Sequence, residues 1–163
     1  MKKNFTLILF CLLTILTYSQ KTKPKILNNE LRINLLYTAL GLPEFAYEKI
    51  LDDESSIGVS MALSVDTSTS LNYLIIPNYR HYFGKKRAAG FFMEVNAAIF
   101  SEDTYFIRQT RTGFGMGMAL GGKFVTAKNW TANLTIGLGK NFINNQLIDE
   151  GYPRLEISIG KRF

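Results

Sequence analysis

The sequence predicts an all-β fold: an eight-stranded antiparallel up-and-down transmembrane β-barrel that follows a cleaved signal peptide. Three observations predict it. The ending PRLEISIGKRF places Leu155, Ile157, Ile159 and Phe163 on one face of a strand, with Arg154, Glu156, Ser158, Gly160 and Arg162 on the other. The same period-two alternation recurs along the chain in seven further segments bounded by turn residues. The N-terminus carries the pattern of an export signal.

That signal has three parts. Lys2 and Lys3 are its positive region, and Phe5 to Tyr18 is apolar apart from Thr6, Thr14 and Thr17. Thr17 and Ser19 put small residues at the −3 and −1 positions, so cleavage is expected after Ser19. The apolar run is shorter than the roughly 20 residues a spanning helix needs. The expected organisation is a signal peptide over 1–19, a flexible tail over 20–28 and the barrel over 29–163. Cys11, the sole cysteine, lies within the signal and lacks the small residues of a lipobox before it. The exported chain would then hold no disulfide, and barrel closure is one way to gain stability without one.

Charge excludes little beyond nucleic acid. The formal net charge is +6, falling to +4 when Lys2 and Lys3 leave with the signal. Lys85-Lys86-Arg87 sits in an expected turn and Lys21, Lys23 and Lys25 in the tail. Neither cluster accompanies a recognition motif.

Each strand follows in order. The first runs from Leu31 to Leu40, with Ile33, Leu35, Tyr37 and Ala39 opposite Arg32, Asn34 and Thr38. Gly41-Leu42 leads into the second, Pro43 to Leu51, where Phe45 and Tyr47 oppose Glu44 and Glu48. After the turn Asp52-Asp53-Glu54-Ser55, the third strand is the cleanest, Ile57 to Val65 alternating with Gly58, Ser60, Ala62 and Ser64. The fourth, Leu71 to Phe83, contains Pro77. Proline cannot donate to a ladder, so a bulge is expected there, with the facing of Tyr79, Arg80 and His81 left open. Gly84 to Gly90 is a basic turn, and the fifth strand, Phe91 to Phe100, sets Met93 and Val95 against Glu94 and Asn96. A long loop, 101–112, precedes the sixth, Gly113 to Val125. The seventh begins at Trp130, with Leu134, Ile136 and Leu138 outside. A loop over 144–152 leads to the eighth, which closes the barrel against the first through Arg32 to Leu40.

The polar parity shared by Arg32, Glu44, Glu48, Arg80, Glu94, Lys123, Arg154, Glu156 and Arg162 is expected to face inward as a structural charge network. Glycines share that parity: Gly58, Gly115, Gly117, Gly121, Gly137 and Gly139. Glycine weakens a strand and gains nothing on a solvated face. In a narrow eight-stranded interior it makes room for long side chains. The apolar parity carries charge only at Lys49, Lys140 and Lys161, near strand ends, where a lysine can snorkel. The competing arrangement turns the apolar ladders inward, as a soluble periplasmic barrel holding an apolar ligand.

The Ser-Gln end of the signal, the segment IIPNYRHYFGKKRAAGFFMEV (75–95) and the ending ISIGKRF together resemble the small eight-stranded outer-membrane barrels of Gram-negative bacteria, the OmpA/OmpX-like transmembrane fold. The resemblance implies an outer-membrane address and lipid and lipopolysaccharide as surroundings. It also implies that Phe163 belongs to an assembly signal read by the barrel-assembly machinery. Lys161 departs from the pattern, standing where an aromatic or apolar residue is usual. No catalytic residue is carried over, and the expected role is non-enzymatic.

Other candidate sites have plain readings. Glu44 and Glu48, four strand residues apart, are separated by about 13 Å, outside the glycosidase range. Asp52, Asp53 and Glu54 read as a solvated turn, and no metal or cofactor is expected. His81 could serve a lipid A-modifying barrel enzyme, which would also need a serine and an acid. The natural contacts for an extracellular ligand are Tyr105, Phe106, Arg108 and Arg111. Trp130, Phe124, Phe83, Phe91 and Phe163 should gather at one end, and Tyr37, Tyr73 and Phe142 at the other.

Overall fold

Eight antiparallel strands close into a single barrel in sequence order. The computed structural model describes residues 27–65, 70–104, 109–143 and 148–163. The expected signal peptide, residues 1–19, lies outside them. The strands are β1 (Asn29–Asn34), β2 (Glu44–Ile50), β3 (Ser55–Leu63), β4 (Leu71–Tyr82), β5 (Gly90–Thr104), β6 (Gln109–Val125), β7 (Trp130–Asn141) and β8 (Gly151–Arg162). β1 and β8 close the wall from Glu30 opposite Arg162 to Asn34 opposite Ser158. Closure leaves no unpaired edge. The start of β1, the end of β8 and the turns at 51–54, 83–89 and 126–129 form one end, called here the terminal end. The other connections form the far end.

The first strand ends earlier than its alternation suggested. Asn34 stops it by turning its side chain to the amides of Leu36 and Tyr37, capping a short helix, α1 (Leu35–Ala39). Gly41, at φ 80°, supplies the left-handed residue just past the helix, and Leu42 N donates to Tyr37 O at 2.9 Å. This corrects the facing expected of Tyr37, which is buried inside the far end and donates to Pro153 O at 3.2 Å. It also corrects the closure: residues 35–40 do not pair with β8.

No bulge forms at Pro77. The β4–β5 register is the same on both sides of it, Ile75 opposite Ile99 and Asn78 opposite Asn96, with the rungs at Ile76 and Pro77 missing. The proline therefore removes part of the ladder without adding a residue, and the parity survives: Arg80 is buried and Tyr79 exposed. The irregularity of this strand pair lies between Leu71 and Tyr73.

The expected 101–112 loop is mostly ladder. β5 and β6 continue outward through Glu102 opposite Arg111 and Asp103 opposite Thr110, and Asn72 and Thr110 both donate to Asp103. Likewise Tyr152 belongs to β8 and its ring is buried inside the barrel.

The outer surface is apolar on every strand. Leu138 is 77% exposed, Phe124 72% and Ile136 66%. Inside, polarity is inverted, with charged side chains buried to near zero exposure.

Candidate functional site

The nine charged residues of the inward parity all lie inside the barrel, and Glu30 joins them. Glu30 escaped the sequence reading because β1 begins at Asn29, two residues before the Leu31 start that the alternation suggests. The buried charges among the described residues are thus five carboxylates, Glu30, Glu44, Glu48, Glu94 and Glu156, against five cations, Arg32, Arg80, Lys123, Arg154 and Arg162. They cancel.

Their arrangement follows from the sheet. Glu48 is the hub nearer the terminal end, accepting from Tyr82 Oη at 2.7 Å, Arg80 Nη1 at 3.3 Å, Arg32 Nη1 and Lys123 Nζ. Glu156, on β8 two strands away, accepts from Arg32 Nε at 3.1 Å, Arg80 Nη2 at 2.7 Å and Arg154 Nη2 at 3.3 Å. Glu94 takes Arg80 Nε at 2.7 Å and Arg154 Nε at 3.1 Å, and Glu44 takes Arg154 Nη1 at 2.9 Å. Arg162 ties Glu30 to the terminal end through the carbonyls of Arg87 and Ala88. Every oxygen of the five carboxylates has a donor, as buried ions require. Two cations also face rings: Arg80 lies 4.5 Å from the centroid of Phe92, and Lys123 5.0 Å from that of Tyr82.

Apolar layers cover the network at both ends. Tyr37, Leu74, Ile76, Phe100 and Tyr152 pack beneath α1 at the far end. Ile50, Tyr82, Ala88 and Phe92 pack at the terminal end. The interior glycines are what admit these rings. A Cβ on Gly121 would stand 2.3 Å from Phe92, one on Gly113 2.5 Å from Phe100, and those on Gly115 and Gly139 2.6 and 2.1 Å from Tyr152. Their space goes chiefly to aromatic rings, with Gly160 making room for the stem of Arg32.

Other candidates sit elsewhere. His81 faces outward at the terminal end, edge-on to Phe83, in a polar depression of about 620 Å³ that it shares with Asp52, Asp53, Ser55 and Arg87. Ser55 lies opposite His81 in the ladder, but its hydroxyl donates to Asp52 at 2.6 Å. A nucleophilic serine must give that proton to the histidine, and no hydrogen bond joins Ser55 to His81 among the described residues. The Ser55 hydroxyl and the Glu54 amide hold the Asp52 carboxyl below its ordinary pKa. The turn thus occupies the Asp52 carboxylate with its own donors. Phe163 exchanges backbone hydrogen bonds with Asn29, at 2.9 and 3.3 Å, with its ring half exposed. Tyr105, Phe106 and Arg108 lie outside the described residues, and Arg111 stands on β6, half-buried.

The aromatic residues Phe83, Phe91, Phe124, Trp130 and Phe163 are exposed around the terminal end. Phe83 and Phe91 are in contact, centroids 5.8 Å apart, and Lys161 lies 5.4 Å over Trp130. Phe142 is exposed at the far end. No curated protein and no solved structure matches the chain. Residues 5–156 match the family DUF3575, described as a protein of unknown function, and the chain belongs to that family.

Proposed function

We propose that the protein is an outer-membrane β-barrel of the Gram-negative envelope with a non-enzymatic role in envelope structure or surface contact. The observation that carries this reading is the inverted polarity of the wall. Ten ionised side chains are buried inside while residues such as Leu134, Ile136 and Leu138 stand exposed outside. In water that arrangement sacrifices the hydrophobic effect twice. In a bilayer both faces are in their preferred surroundings. The 12-residue strands β4, β7 and β8 exceed the 9–11 residues that cross a bilayer at a tilt. Lys49, Lys140 and Lys161 fall near strand ends, where their amines reach the headgroups.

In this reading the signal peptide directs export, Phe163 engages the assembly machinery, and lipid and lipopolysaccharide surround the barrel. The OmpA/OmpX-like resemblance supports the same address. A lumen filled by mutually paired charges and closed by two apolar layers conducts nothing. Work at the surface therefore falls to the far-end hairpins, β5–β6 above all. A soluble barrel with an apolar ligand inside has no room for that ligand among these ion pairs.

Membrane fractionation tests the proposal. The protein should sediment with outer membranes, resist carbonate extraction and migrate faster on a gel unheated than boiled. Recovery in the soluble periplasmic fraction, with no heat-dependent shift, overturns it.

A further inference from the structure

The charge network uses every carboxylate oxygen, yet one guanidinium nitrogen in it has no protein partner. Arg32 donates through Nε to Glu156 and through Nη1 to Glu30 and Glu48, whereas Nη2 meets no acceptor among the described residues. Its side chain is 1% exposed. Ser60 Oγ and Asn78 Oδ1, on β3 and β4, are among the other buried atoms that share this condition. Leaving a buried polar atom unpaired is costly, and more so for a charged group.

The register places the three residues at nearby inward positions of the wall. Arg32 on β1 stands opposite Ala46 on β2, which stands opposite Ser60 on β3. Asn78 on β4 stands opposite Gly58, the next inward residue of β3 after Ser60. Between the guanidinium stem and the serine the wall therefore offers only the methyl of Ala46. Across the barrel, Gly113, Gly115, Gly121 and Gly139 are each covered by an aromatic ring. Phe92, Phe100 and Tyr152 fill that side, over β6 and β7.

We infer that the barrel interior binds ordered water held between Arg32 Nη2, Ser60 Oγ and Asn78 Oδ1. The chemistry of the three groups selects the guest. Arg32 only donates, the Asn78 oxygen only accepts, and the Ser60 hydroxyl does either, so the guest must both accept and donate. An ion is disfavoured by charge balance, since the five buried carboxylates and five buried cations already cancel and an added charge would be uncompensated. Water meets both conditions and typically makes about three such bonds when buried. The apolar layers around Tyr37 and Tyr82 would make its exchange with bulk slow. This site is independent of whether the barrel sits in a membrane.

A high-resolution crystal structure of the wild-type protein from bromide-containing buffer tests this, paired with water-to-protein NOE spectra in micelles. Density for water within hydrogen-bond distance of Arg32 Nη2, with NOEs from water to the Asn78 side-chain amide, is expected. Ser60→Val should lose or displace that density and its NOE. Ser60→Ala, the milder change, should weaken the NOE if the valine variant does not fold. Direct contact of Arg32 Nη2 with Ser60 or Asn78 and no water between them would overturn the inference. So would an anomalous bromide peak at the site.

Discussion

The ring of Tyr152 occupies the space that a side chain at Gly139 would need. The two residues are cross-strand neighbours, and a Cβ on Gly139 would stand 2.1 Å from the tyrosine Cζ. From there the Tyr152 hydroxyl reaches Asn96 Oδ1 at 2.7 Å, and its ring packs 6.1 Å from that of Phe100. Gly139→Val should therefore destabilise the barrel by about 1–3 kcal/mol, the range for overpacking. Gly122, whose Cβ would meet nothing within 4 Å, is the control. Gly122→Ala should change stability by less than about 0.5 kcal/mol. Urea unfolding in micelles reads both.

Glu48, like Glu156, pairs with three of the five buried cations. Glu48→Gln would leave Lys123, Arg32 and Arg80 with too little negative charge among them, all at essentially zero exposure. The expected cost is about 3–5 kcal/mol, the range for a buried ion pair stripped of one partner. Combining it with Lys123→Met removes one stranded cation and should recover part of the loss. A double variant no more stable than Glu48→Gln alone would show that the two residues are not energetically coupled.

The strand parities were readable because the interior of this barrel is charged. Glu94, Glu156 and Arg154 could be assigned inward from alternation alone, and Pro77 did not disturb that pattern. α1 was hidden by the same habit of reading. Leu35-Leu36 breaks period two, Asn34 before it is a capping residue, and Gly41 after it is a helix stop. Those three signals define a short helix that a strand template overrides. The outer part of the β5–β6 hairpin was missed for a different reason. Glu102, Asp103, Thr110 and Arg111 are polar on both faces, so no alternation marks them as ladder. The water site was beyond sequence, since it depends on which Arg32 nitrogen is left over once Glu30, Glu48 and Glu156 are satisfied.

At the terminal end, Asp52 should show an acid-side dependence. Its carboxylate accepts from the Ser55 hydroxyl first and the Glu54 amide second, and both bonds favour the ionised form. The folded pKa is depressed below 3.8. The bonded turn therefore stabilises the fold above that ordinary value and loses its contribution as pH falls through the folded one. Carboxyl titration by NMR should place Asp52 below 3.8 in the wild type. Ser55→Ala should move it upward.

Phe163 closes the wall as well as ending the chain. Deleting it removes two backbone hydrogen bonds with Asn29 beside the Glu30–Arg162 pair. Each is worth about 1 kcal/mol net, so the purified barrel should be weakened modestly. Under the proposed membrane reading, insertion should suffer far more than stability. Pulse-labelled cells should accumulate the unassembled, heat-insensitive form, and an assembly rate equal to that of the wild type would count against a signal role for Phe163.

Asn34 joins α1, β2 and β8 through one side chain. Its Oδ1 accepts from the amides of Leu36, Tyr37 and Ile157, and its Nδ2 donates to Glu44 Oε2 at 2.7 Å and Leu155 O at 3.0 Å. Asn34→Ala removes the cap, costing about 0.5–2 kcal/mol, while Glu44 keeps Arg154. Asn34→Asp separates the two halves of this role. It preserves the accepting oxygens but places a carboxylate where Glu44 had a donor, and like charges at that distance repel. Aspartate should therefore be at least as destabilising as alanine, although it is an equally good cap in isolation. Hydrogen exchange at the Leu36 and Tyr37 amides distinguishes the cases, because local opening of α1 should rise about tenfold for each 1.4 kcal/mol lost. If Asn34→Asp left that exchange unchanged, capping would be the whole role of Asn34, and its bond to Glu44 would contribute nothing to holding α1 across the far end.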